Sequence, residues 1–155
     1  MSTGYPTAPV QASTVNIALL AIATASSEKA ISPASGVIDG QIGGVTDFGT
    51  GTASQEWVTR TEGAGAWIQL NFTSTYLMKE VILFDRVSTL NQVTSGTLRF
   101  SDGTSINVGA LSASGSTVSL GSAGIYASSV RFTVKSVSFT TKSAGLSEIQ
   151  IFNAV

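Results

Sequence analysis

The residues best suited to chemistry gather at the end of one apolar run, in KEVILFDRVSTLNQ, residues 79–92. Asp85 and Arg86 leave that run as a charged pair, and Asn91 and Gln92 follow in a polar loop. A planar arginine fork donates to adjacent hydroxyls or grips a carboxylate at two points. Arg86 therefore serves either a ligand or a neighbouring acid, Asp85 or Glu80. Asp85 in turn accepts from hydroxyls or merely orients Arg86. The carboxamides of Asn91 and Gln92 offer donors and acceptors together. Two further stretches set an aromatic ring beside a polar group: Asp47-Phe48 in a Gly/Thr-rich segment, and Phe139 with Lys142 in SFTTK. One aromatic plane plus a few fixed polar groups suits a neutral, hydroxyl-rich ligand whose C–H faces are apolar.

Other chemistries fall away. The chain has no cysteine and no histidine, which excludes disulfides, the usual zinc sets and Cys- or His-based catalysis. Two-carboxylate hydrolysis needs a facing pair of acids. Glu56 and Glu62 are available, but nothing marks them as a dyad, and the chain is read as a non-enzyme. Eight basic and nine acidic residues are spread along the sequence, for a net charge of −1. No basic cluster exists to neutralise phosphates, so neither nucleic acid nor an anionic membrane is expected as an electrostatic partner.

These groups must be held by a scaffold, and its class is legible. The 155 residues suit one domain, and an apolar share of 43% with mean hydropathy +0.31 predicts a packed core. Only 11% of residues are charged, under half the usual share of about 25%. The surface is therefore built from Ser, Thr, Asn, Gln and Gly. Residues 1–14, with two of the three prolines, read as an extended N-terminal arm, and 15–155 as the folded domain. No basic segment precedes the apolar run 15–25, which is too short to span a bilayer. The expected location is cytoplasmic or non-classically released, or secreted if the chain is an excised module.

Within the domain, 15–24 predicts a strand, or strand plus turn, and Glu56-Trp57-Val58 returns to the core. Trp67, Gln69 and Asn71 alternate with Ile68, Leu70 and Phe72, the period of a half-buried strand. A short polar link then leads to a second strand, 79–85, with an apolar centre covered on both faces. Thr97–Ser101 and Thr104–Val108 flank Asp102-Gly103, a pair favoured in I′ hairpin turns. Residues 117–120 form an edge strand, Val130, Phe132 and Val134 alternate with polar neighbours, and 146–152 closes the chain. Trp57 and Trp67 are assigned to the core. Many short strands with Gly-rich turns and no helix indicate an all-β, antiparallel sandwich.

Asn16-Ile17-Ala18, Ala23–Ser27, Val37–Gly40, Glu56-Trp57, Ala66–Leu70, Val81–Arg86, Leu98–Gly103, Val130–Val134 and Gly145–Ile149 stand in an order that resembles the discoidin, or coagulation-factor type C, family. That resemblance implies a galactose-binding-domain-like jelly roll, in use as a lectin or carbohydrate-binding module. The implied ligand is a mono- or oligosaccharide of galactose type, held by loops at one end. The alternative it implies is an adhesive module for lipid head groups or a protein. It also implies a structural Ca2+, with Asp39, Thr46, Asp47 and Glu148 as ligands, although Gln41 stands where the family carries an acid or Asn. Weak single sites imply a homo-oligomer, and contact with membranes only through glycans.

Overall fold

The computed structural model describes residues 12–154. The expected arm lies outside these residues up to residue 11, and from Ala12 the chain is already in strand β1, Ala12–Asn16. Of the strand, or strand plus turn, expected at 15–24 the second form is found, because Ile17–Leu20 makes a 3-10 turn that breaks the strand before β2, Ile22–Ala25. Asn16 causes the break. Its side-chain oxygen accepts from the Ala18 amide at 3.1 Å, capping the turn, and from the Ile151 amide at 3.0 Å.

The remaining strands are β3 (Trp57–Val58), β4 (Trp67–Asp85), β5 (Val93–Phe100), β6 (Ser105–Val108), β7 (Ser116–Ser119), β8 (Ile125–Val137) and β9 (Gly145–Ala154). All pairings between them are antiparallel. The first half of β4 pairs with β2 and β8, and β8 continues to β5 and β6. The second half pairs with β7 and β9, and β9 carries β1 and β3 on its far side. The molecule is thus an all-β jelly-roll sandwich whose two layers share one 19-residue strand. The polar link expected inside it is no loop. Thr73, Ser74 and Thr75 are exposed, and the register with β8 shifts between Asn71 and Tyr76 while the strand runs on.

Alternation sets the faces. Ile68, Leu70, Leu98, Phe100, Val130 and Phe132 point inward, and each is at most 3% exposed. Burying one such side chain contributes about 1.5–3 kcal/mol. Trp57 is fully buried, as expected, and its indole N–H donates to the Ser27 carbonyl at 2.8 Å. Trp67 is not in the core. It shares the outward parity of Gln69 and Asn71 and lies half-buried beneath the Arg131 guanidinium, 3.8 Å from the ring centre. The β5–β6 hairpin forms as expected, but its turn is not type I′. That type needs positive φ at both central residues, and only Gly103 has it, at 93°.

Candidate functional site

Three loops meet at one rim of the sandwich: 43–51, 86–92 and 138–143. The second follows β4 and is built by its own first residues. Asp85 is fully buried, and its two oxygens accept the amides of Arg86 at 2.8 Å and Val93 at 2.9 Å, tying both ends of the loop together. Burial pushes its carboxyl up to about 6 in spite of those two amides and the Arg86 charge. Gln92 works inside the loop, where its amide nitrogen donates to the carbonyls of Arg86, Ser88 and Asn91.

Arg86 also faces inward. Its Nε donates to Glu56 at 3.2 Å and an Nη to the Ser143 carbonyl at 3.0 Å, with the side chain only 11% exposed. Glu56, 1% exposed, also accepts the Val45 amide at 3.1 Å. One ion pair therefore braces all three loops from below. Close approach makes this possible, since a Cβ at Gly145 would lie 2.0 Å from the Trp57 carbonyl oxygen and 3.0 Å from Arg86 Cδ. The two Asp85 oxygens, Nε and one Nη of Arg86, and the Gln92 amide nitrogen are all bonded within the protein, on the inner side of the rim. Asp85, Arg86 and Gln92, expected to face a ligand, thus turn these groups toward the protein.

Other residues of the expected set lie on the exposed side of these loops. Asp47 is exposed and accepts from the Ser88 hydroxyl at 2.5 Å, the Thr89 amide at 2.9 Å and the Thr89 hydroxyl. Those hydroxyls, chiefly Ser88 and then Thr89, draw its carboxyl down from 3.8 to about 2. Asn91 knits the second loop to the third, its oxygen accepting the amides of Lys142 at 2.9 Å and Ser143 at 3.1 Å. Thr140 adds a hydroxyl bond to the Leu90 carbonyl at 2.8 Å. On these knitted loops Phe48 is 94% exposed, Phe139 100% and Leu90 53%. Lys142 is exposed beside them. Leu90 was not among the expected site residues, although a lone leucine in the polar string Ser88–Gln92 marked it.

A second feature lies away from the rim contacts. Glu148 is fully buried on β9, and neither carboxylate oxygen has a hydrogen-bond partner. Burial, helped by the nearby Asp39 carboxylate, pushes it from 4.5 to about 8. The amides of Ile149 and Gly40 approach and favour its anion without bonding geometry. Orphaned buried oxygens are rare and call for a partner. Hard oxygens of this kind suit Ca2+, so Asp39 and Glu148 fit the expected ligand set. Thr46 and Asp47 are spent elsewhere: the Thr46 hydroxyl shares a 2.7 Å bond with Thr50, and Asp47 holds the rim. No three His, Cys, Asp or Glu side chains converge among the described residues, so backbone carbonyls would have to complete any shell.

With this geometry in hand, relatives can be placed. The family model for DUF7402, a domain of unknown function, matches residues 16–152. The chain belongs to that family. A search of curated protein sequences returns no match. Among solved structures, the DUF7402 chain is similar to the family 32 carbohydrate-binding module of Clostridium perfringens NanJ in complex with galactose. The TM-score is 0.68 at 19% identity, covering 88% of this chain and 96% of that one. It is similar also to the lectin domain of lectinolysin complexed with Lewis B antigen, with TM-score 0.71, 20% identity and coverage of 92% and 99%. A fucolectin from Morone saxatilis, striped bass, gives TM-score 0.72 at 15% identity, over 94% of this chain and 50% of that one. Likeness at such identities shows the jelly-roll fold.

Proposed function

We propose that this DUF7402 domain is a non-catalytic carbohydrate-binding module or lectin whose rim docks a mono- or oligosaccharide of galactose type. The observation that carries this reading is the exposure of Phe48 and Phe139 on loops tied to one another through Asp47 and Asn91. A bare ring offers a plane for a sugar's C–H face. Lys142 offers a donor beside it, and the hydroxyl oxygens of Thr89 and Thr140, whose protons serve Asp47 and the Leu90 carbonyl, remain as acceptors. Arg86 and Asp85 act beneath, as positioning residues. Support comes from the galactose and Lewis B ligands of the similar structures. The available carboxylates favour a non-catalytic role, because Glu56 is paired with Arg86 and Glu62 accepts from the Ser26 and Ser27 hydroxyls.

A Ca2+ ion held by Asp39, Glu148 and loop carbonyls would neutralise the buried carboxylate and fix the 39–44 segment. A single shallow site of this kind binds weakly, and a homo-oligomer would add avidity. A glycan array probed with and without a chelator tests the reading. Enrichment of galactose-terminated glycans supports it, and a blank array at high protein concentration overturns it.

A second reading is favoured by one observation: Phe48, Leu90 and Phe139 together make an apolar crest on three adjacent loops. Such a crest suits insertion among lipid head groups. Co-sedimentation with phosphatidylcholine/phosphatidylserine vesicles, beside the array, separates the two.

A further inference from the structure

The outer face of the β2–β4–β8–β5–β6 layer holds a recess of about 320 Å³, lined by Gln69, Arg99, Phe100, Ser101, Ser129 and Arg131, with Gly103 at its edge. Ligand pockets begin at about this size. Cross-strand register explains the lining. Gln69 pairs with Arg131, Arg131 with Arg99, and Arg99 with Ser105, so one transverse row crosses four strands.

Two arginines thus stand directly opposite each other, with Cβ atoms about 5 Å apart, a placement that is destabilising for like charges. Among the described residues, no acidic side chain pairs with either arginine. The flanking outward positions are Trp67, Asn71, Thr97, Ser129, Thr133 and Asn107, none of them acidic. Asp102, in the hairpin turn beside the recess, accepts the Thr104 amide at 2.8 Å within its own turn. The row is nevertheless held in place. Arg131 stacks on Trp67 and donates Nε to Gln69 Oε1 at 2.8 Å, and Gln69 is in turn fixed through Asn71 at 2.7 Å. With Nε occupied, the outer edge of the Arg131 fork remains for a ligand. Arg99 is exposed, and among the described residues its side chain has no hydrogen-bond or ion-pair partner. The Ser101 oxygen accepts the Ser128 amide at 2.8 Å, which leaves its proton for donation.

We propose that this recess is a second binding site, which takes the carboxylate of a uronic-acid-type sugar between Arg99 and Arg131. Two guanidinium edges match a planar monoanion at two points each. Gln69, Ser101 and Ser129 stand where the ring hydroxyls of the same sugar would need partners. The site shares no residue with the loop rim, so the proposal stands or falls apart from the reading given for the rim.

The test uses the full chain with 15N labelling. It is titrated with the methyl glycosides of glucuronic and galacturonic acid, with those of glucose and galactose, and with sodium acetate. At least one uronide is expected to shift the amides of Ser101, Ser129 and Arg131, while its neutral counterpart does not. Arg99→Gln, an exposed change that preserves the stack on Trp67, is expected to weaken this binding tenfold or more, as an estimate of about one charge-assisted bond lost. Binding of neutral glycans at the rim is expected to be unchanged in the same variant. Recess shifts of equal size with acetate would mean a bare anion site and overturn the proposal. So would equal response to neutral sugars, uronide binding indifferent to Arg99→Gln, or no recess shift with either uronide.

Discussion

Glu56 and Arg86, 30 positions apart in sequence, meet 3.2 Å apart beneath the rim, the only ion pair among the described residues. The pair links the strand end at Arg86, the 43–51 loop through Val45, and the third loop through Ser143. Removing one partner leaves an uncompensated charge inside. Arg86→Ala is expected to lower stability by about 3–5 kcal/mol, read as a fall in the urea midpoint at unchanged slope. Any loss of glycan binding in that variant should vanish when it is measured per folded molecule at low temperature. A variant that loses binding while keeping full stability would put Arg86 in contact with ligand.

The apolar crest gives the opposite signature. Phe139 is wholly exposed, and Phe139→Ser is expected to alter stability by less than about 0.5 kcal/mol. Glycan affinity is expected to drop by roughly tenfold, as for an aromatic anchor. Isothermal titration with the best array ligand, beside a thermal melt, separates the two effects.

Asn91 joins two loops by accepting the Lys142 and Ser143 amides and donating to the Ser88 hydroxyl. Asn91→Ala strands those amides, at a cost of about 1–3 kcal/mol. Hydrogen exchange should accelerate at residues 142 and 143 in particular. Asn91→Asp keeps the acceptor and should leave those two amides protected.

Burial makes two carboxyls titrate late, with a definite sign. Glu148 rises from 4.5 to about 8 and Asp85 from 3.8 to about 6. In chelator the folded state therefore holds more protons than the unfolded one between those limits, so stability is greatest in the acid part of the window and falls as pH rises toward 8. Calcium competes for the same oxygens, so its stabilising effect should grow with pH. Melting temperatures at pH 5, 6.5 and 8, with calcium and with chelator, check this. A calcium effect independent of pH, or unaltered in Glu148→Gln, would remove Glu148 from the ligand set.

Much of the scaffold was legible in the sequence. Alternation at Ile68/Leu70 and at Val130/Phe132/Val134 placed strands and inner faces, and the Asp102-Gly103 pair placed a hairpin. What escaped was long-range. No local pattern says that Glu56 lies against Arg86, so the acids adjacent in sequence looked the better partners. Asp85 proved to be engaged by backbone amides. Trp67 was misplaced because its apolar bulk outweighed its parity with Gln69 and Asn71, which marks an outward position. The row through Arg99 and Arg131 depends on the register of four strands, information that only pairing supplies. The loops that carry the expected site residues meet at one rim, and tertiary contacts that no local pattern shows decide which of those residues are exposed.

Strand β4 belongs to both layers of the sandwich. Neither layer can come apart while the other persists, because the same backbone stitches them. Heat or urea should accordingly melt the domain in a single step, with no half-formed species. The exposed stretch Thr73–Thr75, where the register shifts, is the point at which a protease nick would uncouple the layers and abolish that unity.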